Sequence, residues 1–331
     1  MESQKQAPIK TSFTELFNID YPIVSAPMFL VSSTSLVKAT GDAGGLGTFP
    51  ALNYRPISEF KKALETLKSH SAPFGVNLIV QKSNKFVEEQ LDLCLEYEVP
   101  LIITSLGSPK NAIERAQKNG GKTKVFCDVI SLTYAQKVTD LGCDGLIAVA
   151  SGAGGHAGDQ SAFALIPTLK EKLHLPVLAA GSIVNGTGML GAFGLGADGI
   201  YMGTRFIASE EAKVDQHYKD AIVQAQATDI VNTDRVDGFP GNFIKNSALD
   251  RLGIEEPLLE TMAKKIPPVK RSLSMLRAAR SLLGSPEGKA SYKTVFSAGH
   301  GVELINKIES VDEIIQSTVK EYRSLKENLP S

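Results

Sequence analysis

A chain of 331 residues with 43% hydrophobic and 21% charged side chains carries enough apolar material for a large core, and α/β barrels of this size commonly form one unit. Acids and bases nearly cancel, 36 against 35, which excludes a whole-protein field favouring nucleic acid or an anionic membrane. The opening residues are polar with no apolar h-region, and no apolar run nears the roughly 20 residues of a membrane helix, so a cytoplasmic protein is expected. Cys94, Cys127 and Cys143 show no CxxC spacing and read as reduced thiols. The five histidines lack ligand spacing, so no metal is expected.

From residue 21 to residue 206 one pattern recurs: a short apolar β-rich run, a glycine or polar turn, then a stretch with helical spacing. The runs fall at 22–28, 46–50, 74–80, 101–106, 124–129, 145–151, 177–182 and 199–206. Helices are predicted at 34–43, 57–69, 84–97, 109–119, 131–141, 162–174 and 186–195. Runs such as Leu101-Ile102-Ile103 are continuously apolar, as parallel strands buried on both faces require. Gly142 and Gly196 stand where helices end. Eight strands alternating with helices fit a closed parallel (β/α)₈ TIM barrel. A doubly wound open sheet is disfavoured because Pro27-Met28-Phe29, not GxGxxG, follows the first strand.

After Phe206 the rhythm changes. Residues 209–228 read as helical, 230–291 as a smaller helical insertion over one barrel end, and 301–327 as an amphipathic closing helix. The barrel would then comprise 12–229 plus 292–327.

Barrel chemistry concentrates where strands end and βα loops meet. Ala26, Pro27 and Met28 end strand one, Asn77 lies in strand three, Ser105-Leu106-Gly107 follows strand four and Asp128 ends strand five. Strand six runs into SGAGGHAG, 151–158, with four glycines around His156. Glycine is worth its entropic cost where backbone must approach a ligand closely or turn with positive φ. A histidine there titrates near neutrality and suits proton transfer. A surface loop with an incidental histidine is the competing reading; the strand-end position favours the catalytic one. Ala180-Gly181-Ser182 and Met202-Gly203-Thr204-Arg205 end strands seven and eight, where many barrels bind phosphate through backbone N–H groups. Gly181 and Gly203 permit close approach, Ser182 and Thr204 can donate hydroxyls, and Arg205 either neutralises charge or pairs outward with an acid. His70, His174 and His217 read as solvated, Cys127 as core, and His300 as part of a helix-start turn.

The segments YPIVSAPM (21–28), FGVNL (74–78), GAGGHAG (152–158), the two strand-end turns and SAGHG (297–301) occur in the order seen in nitronate monooxygenases, and the chain resembles that family over roughly 12–325. Formerly called 2-nitropropane dioxygenases, they are related to FMN-dependent enoyl-ACP reductases and NAD(P)H:quinone reductases. The resemblance implies non-covalent FMN in the barrel mouth. Its phosphate would be held by Gly181, Ser182, Gly203 and Thr204 beside Ala180, and its ring would lie against Ala26, Pro27 and Met28. Asn77, Asp128, Gly154 and Gly155 would be further contacts, and His156 would be the base. The implied activity is oxidation of alkyl nitronates, such as propionate 3-nitronate, with O₂ to a carbonyl compound and nitrite. The alternative is an NAD(P)H-dependent flavin reductase acting on enoyl-ACP or quinone; Lys264, Lys265, Lys270 and Arg271 read as a solvated basic helix or, under that alternative, as a carrier-docking patch. A small-molecule substrate is expected, with no nucleic-acid or membrane partner, and a homodimer is kept as an expectation. Three residues depart from the family pattern: Gly152 replaces a common acid, Ser182 a common glycine, and His300 the glutamine of the late AGQG turn.

Overall fold

A computed structural model describes residues 6–81, 83–252 and 294–329. Eight parallel strands close into a barrel. They are β1 (Ile23–Ser25), β2 (Leu46–Pro50), β3 (Phe74–Ile79), β4 (Leu101–Ser105), β5 (Lys124–Val129), β6 (Gly145–Val149), β8 (Val177–Ala180) and β9 (Gly199–Met202). β7 (Gly155–His156) lies outside the wall, so β6 pairs directly with β8, and β9 closes on β1.

The two-residue period of a strand explains the continuously apolar runs. In β4, Leu101 and Ile103 point into the barrel while Ile102 meets the outer helices; in β5, Phe126 points inward while Val125, Cys127 and Val129 pack outward. Cys127 is therefore core, as expected. The same parity sends Asn77, Ser105 and Asp128, at the C-terminal ends of their strands, toward the barrel mouth.

The opposite end is plugged. A short helix, Ser12–Phe17, starts at a capping box between Thr11 and Thr14. It sets Phe13 and Phe17 against Phe126, with ring centroids 5.9 Å apart in both pairs. Outer helices fall within a few residues of their predicted spans, for example Ile57–Lys68, whose Phe60, Leu64 and Leu67 form one buried stripe. The closing helix begins later than predicted. A 3₁₀ turn, His300–Leu304, comes first, and the helix runs Val311–Glu327 from a Ser310/Glu313 capping box.

Two readings are corrected. Of 209–228, only Gln216–Gln224 is α-helical, with a 3₁₀ turn at Ala227–Asp229. The segment read as a helical insertion opens instead with an antiparallel pair, β10 (Ile230–Thr233) and β11 (Gly241–Ile244), before a helix at Ser247–Leu252. β11 pairs on its other edge with β7. Residue-type periodicity could not reveal this sheet, because β7 has only two residues and its partner lies more than 80 positions away.

Candidate active site

The mouth encloses a cavity of about 1620 Å³, larger than the roughly 300–1,000 Å³ common for a small ligand. It gathers the thirteen residues read above as FMN contacts or base. Ala26, Pro27, Met28, Asn77 and Asp128 line it from β1, β3 and β5; Gly154, Gly155 and His156 line it from the loop after β6. Ala180, Gly181, Ser182, Gly203 and Thr204 line it from the turns after β8 and β9.

Three polar residues on adjacent strands form a chain along one wall. Asn77 Nδ2 donates to Ser105 Oγ at 2.6 Å, and Ser105 donates in turn to Asp128 Oδ2. Asp128 Oδ1 is enclosed and has no hydrogen-bond partner among the described residues. Burial pushes this carboxyl up to about 6, against the lowering effect of the Ser105 hydrogen bond and the charge of His156.

The loop bearing His156 is fixed from both sides. Ser151 N–H donates to Gln160 O at 2.7 Å, Asn242 Nδ2 donates to Ala153 O at 2.7 Å, and His156 pairs with Gly241. His156 thus sits on an ordered strand, not a free loop. A Cβ at Gly154 would stand 2.9 Å from the Ala298 carbonyl carbon and the Gly299 nitrogen. That glycine is demanded by backbone packing, a reason independent of any ligand. The 298–300 turn docks there through His300 N–H to Gly152 O at 3.1 Å and Gly299 N–H to Thr204 Oγ1 at 3.0 Å.

An acid that sequence reasoning passed over completes this side. Asp237, between β10 and β11, approaches His156 Nε2 with Oδ2 at 2.7 Å. The Phe239 ring meets the imidazole edge-on, 5.7 Å between centroids. The only signal available was an aspartate opening DGFPGN in an otherwise irregular stretch; nothing local connects it to position 156.

The residues that depart from the family pattern meet in space. Ser182 has φ +55°, the left-handed backbone that glycine adopts without penalty, so the departure changes the residue but not the turn. Its hydroxyl donates to Gly152 O at 3.2 Å, and a Cβ at Gly152 would come within 2.5 Å of Ser182 Oγ. A side chain at 152 and a serine at 182 in this position therefore exclude each other. Arg205 does not reach the cavity. It is buried in an ion pair with Glu309 and donates to Lys307 O at 3.1 Å, which removes it as a phosphate ligand. His300 is exposed at the start of its 3₁₀ turn; His174 and His217 are exposed, while His70 is half-buried against Asp42, 2.9 Å away. Lys264, Lys265, Lys270 and Arg271 lie outside the described residues. Among the described residues no helix is long and apolar enough to cross a membrane, and no cluster of three His, Cys, Asp or Glu is arranged to hold a metal ion.

The closed barrel is a TIM barrel, and the family and structural neighbours that the chain matches are flavin-dependent oxidoreductases. Residues 10–90 and 81–321 match the nitronate monooxygenase family, and the chain belongs to that family of flavin-dependent enzymes. It is 29% identical over 289 residues to a probable nitronate monooxygenase of Staphylococcus saprophyticus, covering 74% of this chain and 81% of that protein. It is also 29% identical over 248 residues to a Mycobacterium tuberculosis protein named as a 5-hydroxy-7a-methyl-1-oxo-octahydro-1H-indene-4-carboxyl-CoA dehydrogenase, covering 74% of this chain and 68% of that one. Among solved structures, FabK from Thermotoga maritima superposes with a TM-score of 0.80 at 31% identity, covering 96% of this chain and 98% of FabK.

Proposed function

We propose that this chain is an FMN-dependent nitronate monooxygenase, converting an alkyl nitronate such as propionate 3-nitronate and O₂ to a carbonyl compound and nitrite. His156 acts as base when the substrate arrives as the neutral nitroalkane. The observation that carries the reading is one cavity in which a held histidine shares the space with two backbone turns suited to a phosphate.

The residues present fit FMN. Asp128 Oδ1 is an enclosed acceptor with no partner among the described residues, and a Cβ at Gly203 would meet Ala26 and Met28 at 3.8 Å, so that turn lies against the segment that would support the ring. Backbone N–H groups of Gly181, Ser182, Gly203 and Thr204, beside Ala180, would hold the phosphate. The Ser182 hydroxyl is already committed to Gly152 O, so its share would come from its backbone. Ala26, Pro27 and Met28 would support the ring, with Asn77, Asp128, Gly154 and Gly155 as further contacts. FMN, when bound, supplies electron acceptance from the nitronate and delivery to O₂. The protein's own part is to bind and orient the substrate, exclude water, and take the Cα proton on His156.

The large cavity supports a second reading, an NAD(P)H-dependent reductase acting on enoyl-ACP or quinone, because it leaves room for a bulkier substrate. The division into a barrel (12–229 plus 292–327) and an insertion (230–291), the cytoplasmic location and a homodimer belong to the same proposal. Purified protein is expected to take up FMN, turn yellow, and consume O₂ with propionate 3-nitronate while releasing nitrite. Rapid oxidation of NADH or NADPH without nitronate turnover would transfer the assignment to the reductase.

A further inference from the structure

We infer that Asp237 is the positioning residue for His156, holding the proton on Nε2 so that Nδ1 carries the lone pair that accepts the substrate proton; the inference rests on the proposed role of His156 as base. Asp237 stands at the turn between β10 and β11, and its side chain is only 8% exposed, against 34% for His156. Burying a carboxylate at a loop is costly unless its charge is answered. Here both oxygens are engaged: Oδ2 with His156 Nε2 at 2.7 Å, and Oδ1 accepting from Phe239 N–H at 3.0 Å. The β7–β11 pairing sets the His156 backbone opposite Gly241, and Phe239 closes one side of the ring. Among the described residues no protein group hydrogen-bonds Nδ1, and His156 lines the cavity.

A carboxylate accepts but cannot donate, so it selects the Nε2–H tautomer of a neutral imidazole and stabilises the imidazolium once Nδ1 is protonated. The step balances as a proton transfer. The Cα–H bond of a neutral nitroalkane breaks, its proton goes to Nδ1, and the electron pair passes into the nitro group to give the nitronate. A nitronate supplied as the anion skips this step. Asp237 therefore controls one substrate form and not the other, a discrimination that a purely structural ion pair would not produce. Asp128 is the other acid whose charge is felt between it and His156, but it makes no hydrogen bond to the imidazole.

The test is the tautomer itself, read with kinetics. Long-range ¹H–¹⁵N spectra of histidine-labelled protein contain only five histidines, and His156 is assigned by its loss in His156→Gln. Wild type is expected to show neutral His156 as the Nε2–H tautomer. Asp237→Asn, whose amide can donate to Nε2, is expected to populate Nδ1–H. It is also expected to lower kcat/KM for a neutral nitroalkane by at least about a hundredfold, with less than about a threefold loss for the nitronate. Asp237→Glu is expected to recover part of the nitroalkane rate and guards against a folding defect in the amide variant. A wild-type Nδ1–H tautomer, or an Asp237→Asn ratio of nitroalkane to nitronate rates within twofold of wild type, overturns the inference. If His156→Gln itself keeps its nitroalkane rate, it is the base assignment that falls, and the tautomer spectrum still judges Asp237 alone.

Discussion

In the barrel wall each strand has a parallel neighbour on both sides and sends apolar side chains to both faces. The sheet β10–β11–β7 at the mouth is antiparallel, has strands of four residues or fewer, and carries Asn232, Asn242 and His156. The wall is held by burial of residues such as Phe126, Ile147 and Leu178, which is strong but carries no direction. The mouth sheet buries Ile230, Phe243 and Ile244 as well, but adds aimed contacts, among them Asn232 Nδ2 donating to Asn242 Oδ1 at 2.9 Å and Asn242 donating to Ala153 O. Undirected burial and burial supplemented by directed side-chain hydrogen bonds are thereby found in different parts of one chain. Damage to the wall should unfold the protein, and damage to the mouth should silence it while leaving the fold intact.

The comparison can be broken most forcefully at Phe126, fully buried inside the barrel and touching both phenylalanines of the plug. Phe126→Ala is expected to cost about 3–5 kcal/mol in denaturant unfolding; a loss below about 1 kcal/mol would mean the plug contributes little. Next comes His156→Gln, expected to lower turnover of a neutral nitroalkane by about 10²–10⁴-fold. Its unfolding midpoint should stay close to wild type, and a parallel collapse of stability would erase the distinction between wall and mouth.

Asn242→Ala is a smaller and more local perturbation. It leaves Ala153 O and Asn232 without their partner, at about 1–3 kcal/mol, and hydrogen exchange should quicken across 153–156 and 241–244 while the barrel strands keep their protection. The last effect is one of pH and concerns Asp128. Its carboxyl sits above the ordinary 3.8, at about 6, so the folded state binds this proton more tightly than the unfolded chain does. That contribution is present in full below about 3.8 and is lost as pH rises through about 6. In protein free of flavin, Asp128→Asn should gain thermal stability relative to wild type between pH 4 and pH 8. A difference that stays flat with pH would contradict the burial argument.

Much of the wall was legible from residue order. Parallel strands buried on both faces write themselves as apolar runs, and 46–50 and 124–129 match β2 and β5 residue for residue. The cavity-lining residues on the wall were legible for the same reason: a polar side chain at a strand end stands out against apolar neighbours, as Asn77 and Asp128 do. The mouth sheet was not legible. One of its pairings, β7 with β11, joins residues more than 80 positions apart, and a two-residue strand such as β7 has no period to detect. Asp237 was missed with it, since an aspartate near a Gly-Phe-Pro-Gly turn has an ordinary explanation as a turn former. Arg205 had two readings, a ligand or the partner of an acid, and local sequence could not choose between them: its acid lies 104 residues on, at Glu309, and the pair is internal.

The central claim is that the mouth of this barrel oxidises a nitronate, and the most direct measurement is anaerobic stopped-flow reduction of the bound flavin by an alkyl nitronate, by NADH and by NADPH. The account predicts rapid bleaching by the nitronate and little by either nicotinamide within the same interval. Rapid bleaching by NADH or NADPH, with none by the nitronate, would contradict it.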